Sequence, residues 1–227
     1  MTAGEMEEKY CDEFVFLGAA ALLALSNVTG ATELRLSHQW SDEDFSPKVT
    51  ETVAKEVAAA NVDLYIKIFG AKSLFKPREQ YKPLSRGQLD MTVLPPRYAG
   101  GEQPAYKLTL MPGLVENHDH AARLSVSPFI KELEAKMAAD EVMVLVHGYL
   151  AGGFVGKEKC ITKPSDVAGL PTRAAGKAFE QMLAGAGTSI ASIASPEIYN
   201  AMQTDELNAA NTSPSSFVFY RIYEQVK

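Results

Sequence analysis

Apolar and polar residues alternate over residues 34–38 (LRLSH), the period-two pattern of a strand with one face buried. Ser46-Pro47 then offers an N-cap followed by proline at the first helical position. Val49, Val53 and Val57 recur at helical spacing and predict an amphipathic helix running to Ala60. Alternation resumes over 62–69 (VDLYIKIF), where β-branched and aromatic residues predict a second strand. Residues 77–86 are polar and read as a helix that Pro83 ends or kinks. Residues 90–94 (DMTVL) predict a third short strand, stopped by Pro95-Pro96.

The second half keeps this rhythm. Ser127-Pro128 opens a helix with Phe129, Ile130, Leu133 and Met137 on one face. Residues 141–146 (EVMVLV) form a continuous apolar run, predicting a strand covered on both sides. Gly152-Gly153 marks a turn before a strand at Phe154-Val155. A turn at 163–166 leads into a strand at 170–174, and a helix at 177–183 ends at Gly185 and Gly187. A strand at 189–194, a helix at 196–203, a strand at 207–210 and a helix from Ser215 to the terminus complete the pattern. Strands alternating with helices imply an α/β chain with mainly parallel sheets. The change in turn chemistry over 121–127 predicts a crossing between two lobes there.

Composition narrows the classes of function. Hydrophobic residues make up 46% and charged residues 22%, which excludes a wholly disordered chain. A net charge of −6 and a pI near 5.3 argue against a nucleic-acid partner, which calls for a basic excess. Before Thr32, Glu5, Glu7, Glu8, Asp12 and Glu13 face only Lys9, so the leader carries −4 of the −6 and the remainder is near neutral. Cys11 and Cys160 cannot build a disulfide framework, and no Cys/His cluster has zinc spacing. Residues 14–25 (FVFLGAAALLAL) match a secretory apolar core and are too short for a membrane span. Small residues at 29–31 follow it, which predicts an exported chain with a signal-peptide-like leader over 1–31, although the preceding segment is acidic where a basic one is usual. The alternative is a buried N-terminal helix. Cys11 precedes the apolar run and so is no lipid-anchor site.

Candidate chemistry is sparse. Arg173 ends a predicted strand, where α/β sheets present residues to a crevice. Its planar, permanently charged fork matches a carboxylate in two hydrogen bonds; the plainer alternative is a surface ion pair worth less than about 1 kcal/mol. Asn211 follows the strand 207–210 and can donate to a carboxylate or accept from a hydroxyl, or else cap a turn. His38 and Trp40 follow the first strand and Tyr149 follows 141–146; all three are expected to open onto the cleft. Trp40 would give an apolar wall and Tyr149 a hydroxyl, with core packing as the alternative for both and a structural role for His38. His118 and His120 flank Asp119 in a polar stretch that reads as a solvated helix start, and Glu197 is explained by a helix dipole. There is no nucleophile elbow, phosphate-cradling loop, metal set or suitable carboxylate pair, so neither catalysis, a cofactor nor a metal is expected.

Four blocks, in order, carry a resemblance. Residues 77–81 (PREQY) through 86–91 (RGQLDM) resemble the helix-to-strand passage of the solute-binding proteins of TRAP transporters, the DctP-like family. Residues 161–173 (ITKPSDVAGLPTR) are similar to that family's block leading to an arginine. Residues 195–204 (SPEIYNAMQT), and 208–217 (NAANTSPSSF) with Tyr223-Glu224, resemble its next two signatures. Asp205 stands where the family usually has glycine, Asn208 where it usually has aspartate, and Lys227 comes before such proteins normally finish.

The resemblance implies a two-lobed, periplasmic-binding-protein-like α/β fold, here C-terminally truncated. Lobe I would span 32–122 and lobe II 123–206, with 207–227 returning toward lobe I. It further implies a periplasmic protein that holds a small organic acid on Arg173, with Asn211 facing the ligand, and delivers it to membrane permease subunits. Such a protein neither spans the membrane itself nor binds nucleic acid. Replacing Arg173 by alanine is expected to abolish acid binding with the fold intact. Rival readings of the same scaffold are a ligand sensor for a signalling receptor and, less favoured, an enzyme.

Overall fold

The alternating stretch at the start becomes β1 (Thr32–His38), which pairs in parallel with β2 (Leu64–Phe69) and β3 (Met91–Val93) in the order β2-β1-β3. The computed structural model describes residues 31–42, 45–99, 101 and 104–227; Cys11 and the apolar run of the leader lie outside the described residues. Parallel pairing needs a crossover, and α1 (Phe45–Ala59) supplies the one between β1 and β2. The polar stretch 77–86 yields only a short helix, α2 (Tyr81–Ser85). Pro83 sits in its first turn, where a missing N–H has no intrahelical partner to lose.

After β3 the prolines stop pairing, and 3₁₀ turns run over Pro96–Ala99 and Pro104–Leu110. Next come α3 (His118–Ser125) and α4 (Pro128–Ala139). Both start on side-chain caps: Asn117 accepts the His120 N–H at 2.8 Å, and Ser127 accepts that of Ile130 at 3.3 Å. His118 is therefore at a solvated helix start, and no group of metal-ligating residues occurs among the described residues.

The first core gathers Tyr81, Ala99, Tyr106, Ile130, Leu133 and Val142. The Tyr81 hydroxyl donates to Asp140 at 2.9 Å and lies 3.3 Å from the Tyr106 hydroxyl. Burial, reinforced by these two hydrogen bonds, raises the Tyr81 pKa well above its ordinary value. Because Ile130 and Leu133 of α4 bury against Tyr81 and Tyr106, α4 belongs to this first core. The crossing expected within 121–127 therefore falls later, beyond Val142, since the apolar stripe of α4 finds its cover on α2 and the 104–110 turn.

The second sheet has the order β4-β7-β5-β6, from β4 (Gly153–Gly156), β5 (Pro171–Arg173), β6 (Ser189–Ala191) and β7 (Ala209–Thr212). β7 runs antiparallel to β4 and parallel to β5. α5 (Lys177–Gly185) links β5 to β6 and covers a cluster of Val167, Ala174 and Leu183. α6 (Ile198–Gln203) and α7 (Pro214–Phe219) close over a core of Ile198, Met202, Leu207, Ala210 and Ile222.

Three further expectations change. Residues 207–227 do not turn back toward the first sheet, because β7 inserts between β4 and β5 and Ile222 buries in the second core. The final helix stops at Phe219, and Arg221, at a left-handed φ of 54°, turns the chain into a 3₁₀ segment, Ile222–Gln225. The run 141–146 makes no strand: Val142 is buried, but Met143, Leu145 and Val146 stand 71–80% exposed and pair with no strand among the described residues. No helix among the described residues is long and apolar enough to cross a membrane.

Candidate ligand-binding site

Arg173 closes β5 with its Cα paired to Ala191 of β6 and Ala210 of β7. The residue is only 1% exposed. Its Nε–H donates to the Ile193 carbonyl at 3.1 Å, one terminal nitrogen to the Asn211 carbonyl at 2.5 Å, and the other to Ser195 Oγ at 3.2 Å. All three acceptors are neutral, and no carboxylate lies within 4 Å of this guanidinium among the described residues. Burial pushes its pKa down to about 10, the Arg97 and Arg78 charges push the same way, and the Glu197 carboxylate opposes them. It remains a cation at neutral pH. Glu197 itself is engaged nearby, accepting the Ala194 N–H at 3.0 Å at the start of the segment leading into α6.

Asn211 stands in β7 opposite Phe154 of β4 and is 3% exposed. Its carbonyl serves Arg173, while its amide donates to the Gly153 carbonyl at 3.0 Å. The structure thus joins Asn211 to Arg173 through main chain, and the side chain ties β7 to β4.

Opposite this end of the second sheet lies the carboxyl end of the first. The 3₁₀ turn after β3 carries Arg97 and Tyr98, and the Arg97 guanidinium sits 4.1 Å from the Tyr98 ring centre while donating to its hydroxyl at 2.8 Å. Arg78 approaches the same ring at 5.8 Å and donates to the carbonyl and hydroxyl of Ser192, at 3.1 and 3.3 Å. This contact joins the two halves. Gly176, three residues after Arg173, has φ +136°, and a Cβ there would press to 3.4 Å from the Arg97 stem. A side chain at that position would meet both backbone strain and Arg97.

Of the remaining expected residues, His38 (1% exposed) and Trp40 (6%) are buried at the carboxyl end of β1, their ring centres 6.2 Å apart. The loop after β2 latches there, with Ala71 N–H donating to the Trp40 carbonyl and Lys72 N–H to that of His38. Tyr149 is partly buried on the irregular run that leads out of the first core. A separate groove of about 420 Å³, lined by Phe154, Ile161, Pro164, Val167, Met182 and Ala186, holds none of the arginines.

Residues 36–227 match the family of bacterial extracellular solute-binding proteins, family 7 (DctP). The chain belongs to that family. A solute-binding protein of Albidiferax ferrireducens is 32% identical over 200 residues, covering 86% of this chain and 59% of its own. The crystal structure of a TRAP periplasmic solute binding protein from Rhodoferax ferrireducens with bound malonate matches with a TM-score of 0.82 at 32% identity, over 86% of this chain and 63% of that one. DctP6 of Bordetella pertussis, an extracytoplasmic solute receptor binding pyroglutamic acid, shares the fold at a TM-score of 0.80 and 22% identity. This chain spans about three fifths of the length of the first two relatives. The fold is accordingly the two-lobed α/β architecture of this extracytoplasmic family, whose matched members are solute-binding proteins.

Within this DctP-family chain, sequence reasoning singled out Arg173 and passed over Arg97, Tyr98 and Ser195. The rule that selected Arg173, a charged residue at the carboxyl end of a parallel strand, also selects Arg97 once Pro95-Pro96 is read as the end of β3. Ser195 carried no such signal, because its role depends on where β6 leaves the sheet.

Proposed function

We propose that this protein captures a small organic acid between its two lobes, with the ligand carboxylate on Arg173, and hands it to a membrane permease after export to the periplasm. One observation carries the reading: a guanidinium buried between the carboxyl ends of two sheets, hydrogen-bonded to neutral oxygens and without a carboxylate within 4 Å among the described residues. A buried cation lacking a counter-charge is costly, and an anionic ligand supplies one. The three protein bonds hold the fork in one orientation, so little rotamer freedom remains to be lost on binding. Support also comes from the 32%-identical relative solved with malonate. A bound acid shifts open toward closed only by its difference in affinity for the two states, and contacts reaching both lobes create that difference.

The same three bonds make Arg173→Ala a poor probe, since it unties β5 from β7 and from the 193–195 segment and leaves buried carbonyls unpaired. Arg173→Lys keeps the charge and loses the fork. Native mass spectrometry of the purified protein identifies the co-purifying acid, and calorimetry on Arg173→Lys should then read a loss of roughly 100-fold in affinity, the scale for breaking a buried charged pair. An unchanged affinity would sink the reading.

A further inference from the structure

We propose that Arg78 is a clasp that holds the two lobes shut before any solute arrives, so that the free protein is mainly closed and solute entry waits for Arg78 to let go. Arg78 stands just before α2 in the first lobe, and Ser192 follows β6 in the second. One terminal nitrogen of Arg78 donates to both the carbonyl and the hydroxyl of Ser192, at 3.1 and 3.3 Å. The second lobe holds this acceptor ready. The Ser192 hydroxyl is also hydrogen-bonded to Glu180 of α5, and Lys177 lies 3.3 Å from the same carboxylate. A hydroxyl has one proton and two lone pairs, so Ser192 serves Glu180 as donor and Arg78 as acceptor. Burial alone would raise the Glu180 pKa, but the bonds from Ser192 and Lys177, with the Arg78 charge behind them, hold it below the usual carboxylate range. Glu180 is therefore an anion at neutral pH, and its charge draws Arg78 across through Ser192.

On its own lobe, the Arg78 guanidinium rests 5.8 Å from the Tyr98 ring centre, which limits how far its head can swing. Beside it the lobes run close together: a Cβ on Gly176, just before α5, would stand 3.4 Å from the Arg97 stem and 3.9 Å from Leu110. All of these contacts are protein to protein, so they form without a solute and do not depend on what Arg173 holds. A solute shifts the lobes only by its preference for one state, whereas a clasp sets where that equilibrium starts and how much of the protein is competent beforehand. Arg78 and Ser192 are both exposed, so the clasp changes the populations by a few-fold and still lets the lobes open.

The test uses the full chain with no ligand added, dialysed exhaustively and checked solute-free by native mass spectrometry. Spin labels on the exposed Cys160 of the second lobe and on Lys55→Cys of α1 in the first, with Cys11→Ser to remove the other thiol, report the lobe separation by double electron–electron resonance. The labelled parent should show one short distance as its main population. Arg78→Gln should raise the population of a longer distance by about two- to fivefold, the scale of an exposed charged contact, with the urea midpoint unchanged. Arg78→Lys keeps the charge without the fork and should fall between the two. Salt at about 1 M should open the parent and leave Arg78→Gln where it is, because it screens the pull of Glu180. Glu180→Gln should open the lobes by a smaller factor and add little on top of Arg78→Gln, since both act through one contact. A parent found mainly at the longer distance, a distribution that Arg78→Gln or salt leaves unchanged, or fully additive effects of the two substitutions overturns the proposal. With no solute present, a failure of the Arg173 reading leaves this result untouched.

Discussion

All four residues of β7 are buried, with Ala209 and Ala210 at 0% exposure, whereas in the run 143–146 Met143 and Val146 each stand 80% exposed. Both stretches read as strands from their residues alone. β7 has a partner on each edge, β4 and β5, and carries the Asn211 carbonyl that anchors Arg173. The other run leaves the first core at Val142 and follows α4, where His147 meets Glu134 at 2.7 Å, before reaching Tyr149 without a ladder. Apolar continuity states that a strand gains from being covered. It does not state what covers it.

The contrast is broken most directly by truncation. Leu207, fully buried beside β7, should cost about 2–5 kcal/mol when changed to alanine. Leu145→Ala, at a residue 71% exposed, should stay within about 0.5 kcal/mol. Urea unfolding of the two variants measures both, and comparable costs would mean that 143–146 is covered in solution.

A smaller effect is expected in the first core, whose buried residues include two linked tyrosine hydroxyls where those of the second cluster are all apolar. Tyr81→Phe removes the donor to Asp140 and should cost about 1–3 kcal/mol in the same assay. A negligible cost would place that carboxylate in water and erase the distinction between the cores.

The smallest expected effect concerns pH. Folding lowers the Arg173 pKa from the ordinary guanidinium range to about 10, chiefly through burial. A cation with a depressed folded pKa opposes folding at any pH below that value, and the penalty fades only as pH rises above about 10 toward the ordinary guanidinium range. Between pH 6 and 8 the guanidinium stays charged, so affinity for the acid should vary by less than about twofold, read by calorimetry at several pH values. A steeper change would mean that a group other than Arg173 carries the binding charge.

Much of the fold could be read locally. Period-two alternation gave β1 and β2, the Ser127-Pro128 cap gave α4, and Pro95-Pro96 marked the end of β3. The block 161–173 pointed to Arg173, and the structure puts that residue in the interior, at the end of β5. Arg97 was passed over although it follows the Pro95-Pro96 stop of β3; the surface that it meets, beside Gly176 far along the chain, is set by tertiary packing. The lobe crossing was misplaced for the same reason, since the stripe of α4 declares an apolar face without naming Tyr81 and Tyr106 as its cover.

Caps, turns and periodicity arise from contacts a few residues apart, so the order and type of most elements were determined by the chain itself, the run 141–146 and the end of the last helix excepted. Strand neighbours, by contrast, are chosen by long-range packing. Only the tertiary structure decided that β7 slips between β4 and β5, that 143–146 stays uncovered, and that two arginines from different sheets come together, because each outcome depends on which distant surfaces bury the most apolar area while leaving polar groups paired.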